Sequence, residues 1–196
     1  MQEHTIDTAA GFRVDLDAPS ADQIALEDIA GGLSRVCRFG AQSLRFHSVA
    51  QHAILVSELL IDNGHPELAL AGLHHDSHEA YACDIPSPLK RKLKAAGQDL
   101  YEEVCESLDQ AIYASLGIRR PDLSEKDAIK TADQTALMIE AAELLHDGGR
   151  GIARATGLAP ATPGKLGRSL APDKAREAFL RAHRRLVAEA AAVERT

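Results

Sequence analysis

Apolar residues recur along this chain at the three- and four-residue intervals of an amphipathic helix. Leu26, Ile29, Ala30, Leu33, Val36 and Cys37 form a first stripe, closed by Phe39-Gly40, glycine being the usual residue just past a helix end. The first fifteen or so residues are polar and aperiodic and read as a short extended lead-in. A second helix is predicted from near Ser48 to near Asn63-Gly64, striped by Val49, Ala53, Val56 and Leu60, with His52 beside the stripe. Pro66 fits the first position of a third helix, expected from Glu67 to about Ala82.

Asp84-Ile85-Pro86-Ser87-Pro88 reads as a tight non-helical connection, because two prolines withhold donors and push their predecessors to extended geometry. A long helix carrying Leu100, Val104, Leu108 and Ile112 follows, ending before Gly117. Ser124 and Asp127 resemble a capping pair for the next helix, whose stripe holds Ile129, Ala136 and Leu137 together with Asp133. Residues from about 148 to 171 are rich in glycine and proline and read as a long loop or mobile flap. A last helix is expected over about 172–193, with Phe179, Ala182, Leu186 and Val187 facing inward. With no internal repeat, the pattern predicts one all-α domain over residues 1–196.

Composition supports that expectation. Of the 196 residues 45% are hydrophobic, alanine carrying much of the share, while aromatics are 4% and tryptophan is absent. Close helix packing suits this better than a β-sandwich, which draws on Val, Ile, Thr and aromatic side chains. The net charge of −7 argues against sequence-independent adhesion to a nucleic-acid duplex, while a local basic pocket for one phosphate stays compatible. Cys37, Cys83 and Cys105 show no CxxC spacing and read as reduced thiols of a cytoplasmic protein. No basic segment followed by an apolar run opens the chain, and no run approaches the roughly 18 apolar residues of a membrane span. Neither a signal peptide nor a membrane anchor is expected.

The chemistry concentrates in Leu73-His74-His75-Asp76-Ser77-His78-Glu79-Ala80-Tyr81. His52, the pair His75-Asp76, and Asp133 fall on three predicted helices, each on or beside a buried stripe. A carboxylate on an apolar stripe is costly unless paired or coordinated, so Asp133 calls for a partner. Imidazole nitrogens and carboxylate oxygens together suit a divalent metal, and four side chains leave coordination positions open. Taken singly, Asp133 also reads as a cap or an arginine partner, and His52 as a hydrogen-bonded core histidine. Glu79, four residues after His75 and three after Asp76, shares their predicted face; a surface salt bridge is its plainer role. His47 rivals His52 but precedes the predicted helix; His74 reads as a packing residue and His78 as a hydrogen-bonder behind the ligands. His4, His65, His146 and His183 read as surface residues.

Taken in order, Ile24 to Arg38 with Phe39-Gly40, Ser48-Val49-Ala50-Gln51-His52, the His75-Asp76 block and Asp84-Ile85-Pro86-Ser87-Pro88-Leu89-Lys90 resemble the HD superfamily of metal-dependent phosphohydrolases. The resembling branch includes bacterial 5′-deoxynucleotidases and phage deoxynucleoside-triphosphate triphosphohydrolases. The resemblance implies a single-domain HD-type helical bundle holding one divalent metal ion (Mn, Co, Ni, Fe, Zn or Mg) through His52, His75, Asp76 and Asp133. It implies Glu79 and Asp76 as catalytic groups near the attacking water. Arg38, Phe39 and Asp84 are implied as substrate contacts, with phenylalanine standing where those enzymes carry a larger aromatic. Arg35 and Lys90 are secondary phosphate candidates. The expected activity is hydrolysis of a phosphoester of a nucleotide or deoxynucleotide by a homodimer. Two alternatives differ in class: a non-catalytic nucleotide-binding HD module, and an HD-fold enzyme of non-phosphate chemistry.

Overall fold

The computed structural model describes residues 4–193; residues 1–3 and 194–196 of the expected domain lie outside the described residues. The fold is all-α and forms one domain, as the apolar pattern predicts. Its only sheet among the described residues is a hairpin of β1 (Thr5–Asp7) and β2 (Arg13–Asp15), paired antiparallel with Ile6 opposite Val14. This replaces the aperiodic lead-in. Val14 is wholly buried, and with Ile6 and Leu16 packed on the same core it fixes the hairpin onto the body.

The helices are α1 (Leu26–Arg35), α2 (Val49–Asp62), α3 (Ala69–Leu73), α4 (Glu79–Ala82), α5 (Ser87–Ala95), α6 (Leu100–Leu116), α7 (Leu123–Leu144), α8 (Arg150–Thr156) and α9 (Pro172–Val193). α2 is the hub, packed against α1, α3, α7 and α9, while α1 also lies on α9 and α4. Ser48 caps α2, its side chain accepting the Gln51 amide at 3.3 Å. Ile29, Leu33, Leu73, Leu108, Ile112 and Phe179 fill the main core, and Val56, Leu60, Tyr113 and Ile129 a second cluster towards α7. Truncating a side chain such as the fully buried Phe179 would cost about 3–5 kcal/mol. Gly32 lets α1 approach α4 closely, since a Cβ there would lie 2.8 Å from the Ala80 carbonyl oxygen.

Several boundaries differ from the sequence pattern. α1 stops at Arg35, so Cys37 lies outside it, and Phe39 and Gly40 both take positive φ of 57°. The helix expected over 67–82 is broken between α3 and α4, which leaves His75 and Asp76 in a turn. α5 begins at Ser87 with Pro88 in its first turn, where proline's missing donor costs nothing, so the non-helical connection is shorter than the prolines suggested. Asp122 and Glu125, not Ser124 and Asp127, form the capping box of α7. Residues 148–171 contain α8 and are stapled down rather than flap-like. Glu143 Oε1 accepts the amides of Gly164 and Leu166, Arg45 donates to the Gly167 carbonyl, and Gln51 bonds both Arg168 and Leu170. Leu100 and Val187 are exposed despite their periodic positions. Among the described residues, no helix is long and apolar enough to cross a membrane.

Candidate metal centre

The break between α3 and α4 builds the centre. His74 to His78 form turns instead of a continuing helix, with the His75 ring bonded back to the Gly72 carbonyl. His74 pins this turn to α9. It is fully buried, with Nδ1 bonded to Ser77 Oγ at 2.9 Å, Nε2 bonded to His183 Nδ1 at 2.9 Å, and its ring edge-on to Phe179. Burial and the neighbouring His183 and His75 push its pKa down to about 3, so it is a neutral strut. His183, read from the sequence as a surface residue, is half-buried and completes that strut.

The turn carries His75 and Asp76 towards His52 on α2 and Asp133 on α7. His75 Nε2 lies 3.1 Å from Asp76 Oδ2, and His52 Nε2 lies 3.3 Å from Asp133 Oδ1 and 3.7 Å from Asp76 Oδ2. His75 Nε2 is 4.0 Å from Asp133 Oδ1. His52, His75 and Asp76 thus form one close group, and Asp133, its Oδ2 bonded to Lys130 Nζ at 2.6 Å, approaches both imidazoles with Oδ1. Both Nε2 atoms are buried and have no hydrogen-bond partner among the described residues. Their Nδ1 atoms are engaged, His75 with the Gly72 carbonyl and His52 with Glu140 Oε1, each at 2.8 Å. A carbonyl or an ionised carboxylate can only accept, so each Nδ1 carries the proton and each Nε2 turns a lone pair to the carboxylates. Lone pairs facing lone pairs at this range require a cation between them. Without a metal, that cation is a proton on His52. Burial and Arg38 push its pKa down, but Glu140 and Asp133 outweigh them and raise it to about 9. Burial pushes the Asp76 and Asp133 carboxyls up, and the adjacent imidazoles hold both well below the ordinary carboxylate range.

Two buried glutamates flank the ligands. Glu140 is fully buried and accepts from Arg38 Nε at 3.1 Å and His52 Nδ1 at 2.8 Å, with His47 Nε2 3.5 Å away. The sequence pattern assigns Glu140 no role, whereas His47, the rival of His52 in sequence, is also buried beside it. Glu140 had a legible signal: it lies two helical turns after Asp133 and is the lone acid in Ala136-Leu137-Met138-Ile139-Glu140-Ala141-Ala142. Glu79, 2% exposed, has its Oε1 3.6 Å from Lys90 Nζ and its Oε2 buried without a hydrogen-bond partner. Burial, then Asp76 and Asp84, raise its pKa to about 9.

Arg38 reaches the wall of the centre rather than an open cleft. Its buried guanidinium lies between Glu140 and Asp84, whose Oδ2 is 3.5 Å from Nη1, and 5.6 Å from the Phe39 ring centroid. Positive φ at Phe39 and at Cys83, just before Asp84, marks both approaches to this ion pair as strained. His78 Nδ1 bonds Asp109 Oδ1 at 2.9 Å, which fits its reading as a hydrogen-bonder behind the ligands. Arg35 is exposed and donates to the Gly31 carbonyl. A cleft of about 260 Å³ opens beside His75, Asp76 and Asp133.

No family model matches the chain. Over 142 residues, 69% of this chain and 70% of the relative, it is 34% identical to the uncharacterized protein RCAP_rcc00048 of Rhodobacter capsulatus. Over 144 residues, 74% of each chain, it is 38% identical to the uncharacterized protein YfdR of Escherichia coli strain K12. The chain belongs to the family of these proteins.

Proposed function

We propose that this protein is an HD-type, metal-dependent phosphohydrolase that cleaves a phosphoester of a nucleotide or deoxynucleotide. The observation that carries the reading is the convergence, from α2, the α3–α4 turn and α7, of two partnerless Nε2 atoms on two carboxylates. A divalent metal fits this donor set: His52, His75, Asp76 and Asp133 would hold it, and the mixed nitrogen and oxygen ligands suit Mn, Fe, Co, Ni or Zn, with Mg a weaker match. When bound, such an ion supplies Lewis acidity towards a phosphoryl oxygen and lowers the pKa of water.

The chain's own residues supply the rest. Glu79 is a buried carboxyl three residues after Asp76, with Oε2 free of any hydrogen-bond partner among the described residues, which suits it to orient water or to protonate a leaving oxygen. Asp84, whose carboxyl burial pushes up, borders the same space as a competing proton carrier, and Asp76 as a competing acceptor for the water. Arg38, braced by Glu140, presents a fixed positive charge where a phosphate would gain charge on reaction, and Phe39 offers a ring for a sugar or base.

A phosphate-release screen of ribo- and deoxynucleotides with several divalent metals, with product identification, tests the reading. Asp76→Ala is expected to remove bound metal and phosphate release together while the far-ultraviolet helical signal persists. Full metal occupancy in Asp76→Ala, or no phosphate release by the metal-loaded parent on any nucleotide, overturns it.

A further inference from the structure

The cleft beside the ligands has its own charge pattern. One wall is α7, where Lys126, Lys130 and Asp133 fall on one helix face at intervals of four and three residues. The other is α6 with the segment after it, bearing Glu106, Asp109 and Arg120. Of the four acids lining the cleft, all but the ligand Asp76 already have a cation beside them. Glu106 pairs with Arg120 at 2.6 Å, Asp109 with His78 at 2.9 Å, and Asp133 with Lys130 at 2.6 Å. Lys126 has no ion pair within 4.0 Å among the described residues. On the Arg38 side of the centre the guanidinium is already shared between Glu140 and Asp84. The positive charge of the cleft that has no carboxylate partner is therefore Lys126, about 10 Å along the helix axis from Asp133.

We infer that the cleft holds the distal phosphates of the substrate on Lys126, which makes the substrate a nucleoside di- or triphosphate. The inference rests on the phosphohydrolase reading and names its substrate class. A phosphate chain starting at the ligands and running along α7 passes Lys130 and ends within reach of the Lys126 side chain. The cleft's apolar share, Tyr113 and Ile129, borders the chain without adding acceptors that would repel it. A monophosphate held at the ligands leaves Lys126 without a function in binding.

The test compares kcat/KM for the triphosphate and the monophosphate of one deoxynucleoside in excess Mn²⁺, in the parent protein and in Lys126 variants. The parent is expected to favour the triphosphate. Lys126→Ala should cut the triphosphate-to-monophosphate ratio roughly tenfold, the low end for losing a charged hydrogen bond. Lys126→Glu should cut it further, and Lys126→Arg should retain it. A second readout avoids turnover: inorganic tripolyphosphate should raise the Tm of the metal-free parent more than inorganic phosphate does, and Lys126→Glu should abolish that margin. An unchanged ratio in Lys126→Glu, or a parent preference for the monophosphate, overturns the inference while leaving the phosphohydrolase reading intact. A metal-loaded parent that releases phosphate from no nucleotide overturns that reading and the inference with it.

Discussion

Glu140 and Glu79 are equally hidden from water, and their surroundings put them in opposite states. On the α7 side, Glu140 meets Arg38 and His52 within hydrogen-bonding range, and these outweigh the burial that would neutralise it, so its carboxyl stays well below the usual range. On the side of the α3–α4 turn, burial, Asp76 and Asp84 outweigh the opposing His78 and half-exposed Lys90, and the Glu79 pKa rises to about 9. Burial alone thus fixes neither charge. The partners decide: a saturated carboxylate orients an imidazole, while an unsaturated carboxyl keeps a proton and an oxygen with no hydrogen-bond partner among the described residues.

The largest effect should come from breaking the saturated side. Glu140→Ala leaves a buried guanidinium facing Asp84 alone and removes the acceptor that fixes the His52 tautomer. Breaking a buried pair of this kind costs about 3–5 kcal/mol, which in a chain of this length lowers Tm by roughly 6–20 °C. Metal affinity should fall by about 10- to 100-fold, the usual span for losing the partner behind a ligand. Calorimetry and metal titration on one preparation check both. A variant with parent-like Tm and metal affinity would show that Glu140 and Glu79 do not differ as described.

The unsaturated side should respond in catalysis rather than in stability. Glu79→Gln replaces a carboxyl that is already neutral at pH 7 in the metal-free protein, so its metal-free Tm there should not fall. Turnover of the metal-loaded protein should drop by roughly 10²- to 10⁴-fold with metal content retained. The pH dependence has a definite sign. A carboxyl whose folded pKa is raised stabilises the fold fully below the unfolded value of 4.5, and that contribution is lost as pH rises to about 9. Over that window the metal-free parent should lose stability relative to Glu79→Gln, by at most about 1.4 kcal/mol per pH unit. Parallel stability curves for the two proteins would mean that Glu79 is ionised throughout and that its environment resembles that of Glu140.

What the sequence disclosed follows the same division. Ser48, His52, the His75-Asp76 pair and Asp133 were legible because each is a polar residue at a position where helix periodicity or capping demands an account. The break at His74–His78 was not legible, because Ala69–Leu73 and Glu79–Ala82 each continue the helical pattern and only the long-range bond from His74 to His183 shows what fixes the turn. Val187 and Leu100 kept the apolar period yet face solvent, since periodicity marks a face and cannot say what lies opposite. Glu140 was passed over although its apolar flanks signalled it; what no pattern could supply was its bond to Arg38, 102 residues away in sequence.

The smallest effect expected is that of Lys90→Ala, and it tests whether proximity of a cation is enough to make Glu79 resemble Glu140. Lys90 Nζ lies 3.6 Å from Glu79 Oε1 and 5.3 Å from the Tyr101 ring centroid, on α5, which has no buried residue. Its side chain is 30% exposed, so water screens the pair and its long stem must be ordered to keep it. Such pairs contribute about 0–1 kcal/mol, against the several expected for Arg38 with Glu140. The substitution should therefore lower Tm by no more than about 2–4 °C and leave metal content as in the parent. It also removes one of the influences that lower the Glu79 pKa, so the pH window in which the parent loses stability should extend slightly upward in the variant. A loss as large as that of Glu140→Ala would mean that Lys90 holds Glu79 as a carboxylate. The contrast between the two glutamates would then lie in where their cations sit and no longer in their charge.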